Sequence, residues 1–192
     1  MEPSDSKTRI IRAALDLLSQ SGLSGVGINR VVEASAAPRG SIYHFFPGGK
    51  LELVTVALKE EEQSVAQWFR GTFDQREPIS KKVESLFAGA AASVEAGAFN
   101  KSCPVGAVTL DIDADSEKMR DVCHRIFATW QEAIAAGLDE IPEDERHGVA
   151  ELILATLEGA LILARAQASK DPLLRAGRNL GEVLARRFQP EP

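Results

Sequence analysis

Four side chains able to bond phosphate oxygens or base edges, Arg39, Ser41, Tyr43 and His44, fall within six residues. Pro38 precedes them and Pro47 follows. A proline suits the first turn of a helix, where no backbone N–H is needed. Pro47 cannot continue a helix, and it pushes Phe46 out of the helical region. The segment therefore reads as a helix of about two turns. Ile42 and Phe46 are four apart and share one face, while Arg39 and Tyr43, also four apart, share another. So short a helix does not hold itself in water. Packing of Ile42 and Phe46 must hold it, which leaves the polar face for a partner. An arginine there can give two hydrogen bonds to guanine O6 and N7, or pair with a phosphate. Ser41 and His44 can reach the same groups. His44 as a plain surface residue and Tyr43 as half-buried support stay open as alternatives.

The elements before it complete a helix-turn-helix. Residues 6–20 put Ile10, Ile11, Ala14, Leu15, Leu17 and Leu18 on one stripe, with Ser4 or Asp5 as cap and Ser21-Gly22 as the stop. A glycine-containing link, residues 22–27, leads to a second helix at about 28–34, with Ile28, Val31 and Val32 inward. Its glycines do not follow G-x-G-x-x-G and no strand precedes them, so a phosphate cradle is not the reading. Asn29, Arg30 and Lys50 are expected at phosphates, which position a protein on DNA without specifying sequence. Charge distribution agrees. Residues 1–50 hold six Lys or Arg against four acids, a surplus of +2, while the other 142 residues hold 16 basic and 24 acidic groups, −8.

The rest of the chain also has helical period, over about 50–74, 78–96, 116–137, 142–169 and 172–188, with 97–115 less regular. Nine helices and no sheet are expected. The fold class is all-α, with a helix-turn-helix domain at 1–49 and a helical ligand-binding and dimerisation domain at 50–192. Residues 152–164 are apolar nearly all round, so they must be covered on several sides. A buried helix of a monomer is one reading. The other is a two-fold seam of two helices per chain, using Leu152, Ala160, Leu163, Ala164, Leu173, Gly177, Leu180 and Leu184.

The pattern Glu33-Ala34, then 39–47 (Arg-Gly-Ser-Ile-Tyr-His-Phe-Phe-Pro), then Lys50 resembles the DNA-binding end of the TetR family of bacterial regulators. In that family the tyrosine faces the DNA backbone, the last aromatic packs inside and the lysine past the proline meets a phosphate. Here these are Tyr43, Phe46 and Lys50. The chain departs at Ala36, where the turn usually carries glycine, at Gly27, where the cap is often threonine, and at Gly48-Gly49, which sets Lys50 one residue later. Phe45 stands where a polar ring is common. The segments around 46–50, 103–106 and 157–161 resemble a narrower branch, the LmrA/YxaF-like regulators. The resemblance implies a repressor that binds double-stranded operator DNA as a homodimer and is released by a small, largely apolar or aromatic effector. The rival within DNA binding is an architectural protein without ligand control.

The effector is expected among the helices after residue 50, with Phe69, Phe87, Cys103, Phe127, Trp130, Leu157 and Glu158 as lining. Plain core packing is the alternative for each aromatic. No nucleophile elbow, Walker loop or carboxylate pair is present, so an enzyme is not expected. Cys103, Cys123, His124 and His147 match no zinc spacing. The acidic run 111–117 begins like a calcium loop, but Ser116 stands at its glycine position and Val122 at its last ligand. No metal and no cofactor are expected, and the run reads as a solvated cap for the helix near Ser116. Two cysteines make no disulfide framework, and Lys7, Arg9 and Arg12 among helix formers do not read as a secretory leader. The most apolar stretch, 149–168, carries Glu151, Glu158 and Arg165, which argues against a membrane span. A cytoplasmic protein is expected.

Overall fold

A computed structural model describes residues 3–113 and 116–188. Among them are nine helices and no strand: α1 (Pro3–Ser21), α2 (Ile28–Ser35), α3 (Arg39–Phe45), α4 (Lys50–Phe73), α5 (Ile79–Ala96), α6 (Pro104–Leu110), α7 (Glu117–Ala135), α8 (Glu143–Gln167) and α9 (Asp171–Arg187). The chain forms two compact units. One comprises Met1–Gln63 and Cys103–Ile126, the other Ser64–Ser102 and Phe127–Pro192. Helix α6 and the first part of α7, to Ile126, belong to the same unit as the N-terminal helices. Helices α4 and α7 each run from one unit into the other.

In the first unit α1 buries Ile10, Ile11, Ala14 and Leu18 and packs on α2, α3 and α6. It starts at Pro3, ahead of Ser4 and Asp5, and Asp5 instead pairs with Arg9 at 3.8 Å. Gly22, at φ +64°, ends it, its N–H donating to Leu18 O at 2.9 Å. Helix α2 is stopped by Ala36 at φ +50°, a left-handed turn made without glycine. Helix α6 lies within the stretch whose sequence is less regular. Pro104 supplies its first turn and Cys103 its cap, the Sγ accepting from Gly106 N at 3.3 Å. Of the acidic run, Asp111 caps the far end of α6, Asp115 lies outside the described residues, and α7 starts at Glu117.

In the second unit α9 packs on α5 and α8. Prolines at 78, 142 and 172 open α5, α8 and α9 as their spacing suggests. Lys82 is 5% exposed, and its Nζ donates to Gly137 O at 2.9 Å, a cation on a carbonyl two residues past the end of α7. Six of the positions expected at a two-fold seam, Ala160, Ala164, Leu173, Gly177, Leu180 and Leu184, are buried within this unit. Gly177 shows why. A Cβ there would stand 2.6 Å from Phe87 Cβ, so the glycine serves the α5–α9 crossing inside one chain. Leu152 and Leu163, 47% and 53% exposed, face outward. Among the described residues no helix is long and apolar enough to cross a membrane.

Candidate nucleic-acid interface

Helix α3 is held as its spacing demands. Ile42 and Phe46 are fully buried, and Phe46 leaves the helix at φ −134°, ψ 72°, ahead of Pro47. The other face is open: Arg39 and His44 are exposed, Tyr43 is 48% exposed and Ser41 is half-buried. Phe45 is half-buried, with its ring edge-on to His44 at 5.0 Å and to Phe46 at 6.4 Å. Such edge-to-face contacts are favourable aromatic geometry. They run from the core residue Phe46 to the exposed imidazole, which gives Phe45 a supporting role that spacing alone did not reveal.

Asn29 and Arg30 are exposed at the start of α2, and Arg30 Nη1 donates to Gly25 O at 2.6 Å. That bond holds the guanidinium against the α1–α2 link while its remaining donors stay available in type for phosphate. Lys50 is the half-buried first residue of α4. Just ahead, Gly49 takes φ +71° and Gly48 N donates to Glu52 Oε2 at 2.6 Å, so the two glycines shape the entry to that helix. One unit thus presents Asn29, Arg30, Arg39, Ser41, Tyr43, His44 and Lys50 from α2, α3 and the start of α4.

Asp111 enters this region from far along the chain. Its Oδ2 accepts from Ser24 N and Ser24 Oγ, both at 3.0 Å. The backbone bond from Ser24, then its hydroxyl, hold the Asp111 carboxyl below the usual carboxylate range, and Lys50 adds to this. Nothing in the local sequence pointed to this pairing. Glu61 on α4 shifts the other way: burial, then the charge of Asp16 on α1, push its carboxyl up.

The residues expected to line an effector site are not all gathered in one place. Phe69, Phe127 and Trp130 form one aromatic cluster in the second unit, with Trp130 edge-on to Phe69 at 6.1 Å and to Phe127 at 5.6 Å. Phe69 and Trp130 are buried and Phe127 is half-buried. Phe87 lies against Gly177, while Leu157 and Glu158 sit on α8, buried and half-buried. Cys103 belongs to the first unit. An open groove of about 380 Å³ lies elsewhere, beside α1 and α2, lined by Arg9, Arg12, Asp16 and Gln20 among others. Charges of both signs there do not suit an apolar ligand. Among the described residues no cluster of His, Cys, Asp and Glu is arranged to hold a metal ion.

Two family models cover most of the chain: bacterial regulatory proteins of the tetR family at residues 10–56, and the C-terminal domain of LmrA/YxaF-like transcriptional regulators at 79–179. The chain belongs to the TetR family. This TetR-family chain is 30% identical over 172 residues to the HTH-type transcriptional regulator YxaF of Bacillus subtilis, a match spanning 88% of this chain and 90% of that one. Its fold is similar to that of the regulatory protein TetR from Rhodobacter sphaeroides, with a TM-score of 0.82 at 23% identity, covering 91% and 96% of the two chains. It is also similar to a cysteine mutant of the TetR-family regulator CifR complexed with a 26-bp double-strand operator DNA, with a TM-score of 0.77 at 19% identity, covering 91% and 94%. The family and these relatives are transcriptional regulators, not enzymes. A TetR-family regulator binds DNA through its helix-turn-helix, here α2 and α3.

Proposed function

We propose that this regulator is a cytoplasmic repressor that binds a palindromic operator as a homodimer and leaves it when a small, largely apolar or aromatic effector binds. The observation that carries the DNA half is α3 itself, with Arg39, Tyr43 and His44 exposed over buried Ile42 and Phe46. Arg39 and His44 read bases, while Asn29, Arg30, Tyr43 and Lys50 grip phosphates. Functionally, residues 1–49 read DNA and 50–192 take the ligand and the second subunit.

The dimer uses the outer face of α8. Leu152, Ala155, Gly159, Ile162, Leu163 and Ala166 are all exposed and share one side of that helix. Exposed Glu151 borders this side, which carries no charge itself between residues 152 and 166, and a Cβ on Gly159 would meet nothing within 4 Å. An exposed apolar stripe with small residues at its centre suits a close helix-to-helix approach. The effector site is assigned to the cluster of Phe69, Phe127 and Trp130.

Selection of bound duplexes from a random-sequence pool tests the operator reading. The expected product is a palindrome with half-sites one or more helical turns apart, roughly 34 Å per turn. Recovery of unbiased sequence at every salt concentration would instead favour an architectural DNA-binding protein.

A further inference from the structure

The glycine-containing link between α1 and α2 is held from two sides. From one side, the carboxylate of Asp111 takes hydrogen bonds from Ser24 N and Ser24 Oγ, each 3.0 Å long. From the other, Arg30 donates to the carbonyl of the next residue, Gly25, at 2.6 Å. The close approach of Asp111 depends on glycine at position 22: a Cβ there would sit 2.4 Å from Asp111 Oδ2, and its φ of +64° is one that other residues resist. Asp111 is itself fixed, because it caps α6 and α6 packs on α1. Lys50 lies within electrostatic reach of the same carboxylate.

We propose that Asp111 is a positioning residue for DNA binding: by fixing the link at Ser24 it fixes Gly25 O, and through that carbonyl it sets where Arg30 meets a phosphate. This rests on the DNA-binding reading of Arg30 given above. It makes the end of α6, which packs on α1, a part of the DNA-binding apparatus. The sign of its effect is unusual. An acid beside Lys50 should weaken attraction to DNA by simple charge, so its removal should tighten binding unless its hydrogen bonds matter more.

The experiment uses the full chain and a 26-bp duplex of mixed sequence, with binding followed by fluorescence anisotropy across a salt series. Arg30→Ala and Asp111→Ala should each weaken binding, Asp111→Ala by up to about tenfold, the size of one charge-assisted hydrogen bond. Each should flatten the plot of log affinity against log salt by roughly 0.9 for every phosphate that is no longer neutralised. In an Arg30→Ala background, Asp111→Ala should cause no further loss. Asp111→Asn keeps an acceptor for Ser24 without the charge, and should bind as well as the parent or better. Ser24→Ala, which removes one of the two bonds and keeps every charge, should cause a smaller loss in the same direction. It serves if circular dichroism shows Asp111→Ala to be unfolded. Asp111→Ala binding as tightly as the parent, Asp111→Asn binding as weakly as Asp111→Ala, or full additivity with Arg30→Ala would each overturn the proposal. If Arg30→Ala weakens binding and Asp111→Ala does not, only this inference fails. If the parent shows no salt-dependent binding at all, the DNA reading falls with it.

Discussion

At the scale of single residues, type and exposure decide different things. Arg39 and Lys50 are both cations on the DNA-reading unit, yet they are expected to act differently. Lys50→Ala should weaken binding to every duplex and lower the salt slope by about one unit, as a phosphate contact does. Arg39→Ala should cost about 1–3 kcal/mol and relax preference at one base position, as a guanine contact does. Binding titrations on a selected operator and its single-base variants separate the two. Glu61 makes a prediction about pH. Its folded-state carboxyl is pushed above the ordinary range by burial and by Asp16. For an acid raised in this way, the folded state favours the protonated form. Its stabilising contribution is then present below the unfolded pKa and lost as pH rises through the folded one. Glu61→Gln should therefore melt close to the parent at about pH 4 and above it at pH 7. Melting followed by circular dichroism at the two pH values checks this, and a gain of the same size at both would refute the assignment.

Elements act through the face they bury. Helix α9 turns Leu173, Gly177, Leu180 and Leu184 into its own chain, whereas α8 buries one side and exposes another. Two substitutions should therefore part company. Gly177→Ala forces a Cβ against Phe87, and overpacking of this kind typically costs about 1–3 kcal/mol. Urea denaturation should show it. Ile162 is 56% exposed, so Ile162→Glu should leave the helical content unchanged and instead dissociate the dimer. Light scattering at micromolar concentration reads that outcome. A monomeric parent, or an Ile162→Glu variant that stays dimeric, would remove the outer face of α8 from the interface. The turn at Ala36 belongs to the same scale. A left-handed alanine persists there because α2 and α3 both pack on α1, and their packing over-determines the turn.

For the whole molecule the question is how a ligand in one unit is felt in the other. Helices α4 and α7 pass through both units. Phe69 lies on α4, and Phe127 and Trp130 lie on α7. An effector at this cluster is therefore expected to act on two helices that continue into the first unit. Moving the population from 1:99 to 99:1 takes about 5.5 kcal/mol of differential affinity. A ligand burying around 200 Å² of apolar surface offers about that much at roughly 25 cal/mol per Å², and only the part absent from the DNA-bound form counts. The chain has two tryptophans, Trp68 and Trp130. Trp130 is buried and Trp68 is 38% exposed. Titration with planar aromatic compounds should change tryptophan fluorescence and release operator DNA together. Trp130→Phe should remove most of the optical change while leaving DNA binding intact. A compound that binds tightly and never lowers operator affinity would refute this switch.

The sequence by itself determined eight of the nine helices among the described residues and the face that α3 buries. Helical period, prolines and glycine stops act within a few residues, so the four-residue spacing of Ile42 and Phe46 was enough to say which side of α3 faces in. It did not orient α8, because a stretch apolar nearly all round carries no phase; only packing against α5 and α9 chose Ala160 and Ala164 for the core and left Ile162 outside. Nor did local spacing place α6, because Gly97, Pro104 and Gly106 break up the pattern around it. The pairing of Asp111 with Ser24 joins residues 87 apart in the chain, and Lys82 reaches Gly137 across 55. Such contacts are set by which helices pack together, and that is a property of the assembled core rather than of any window of residues.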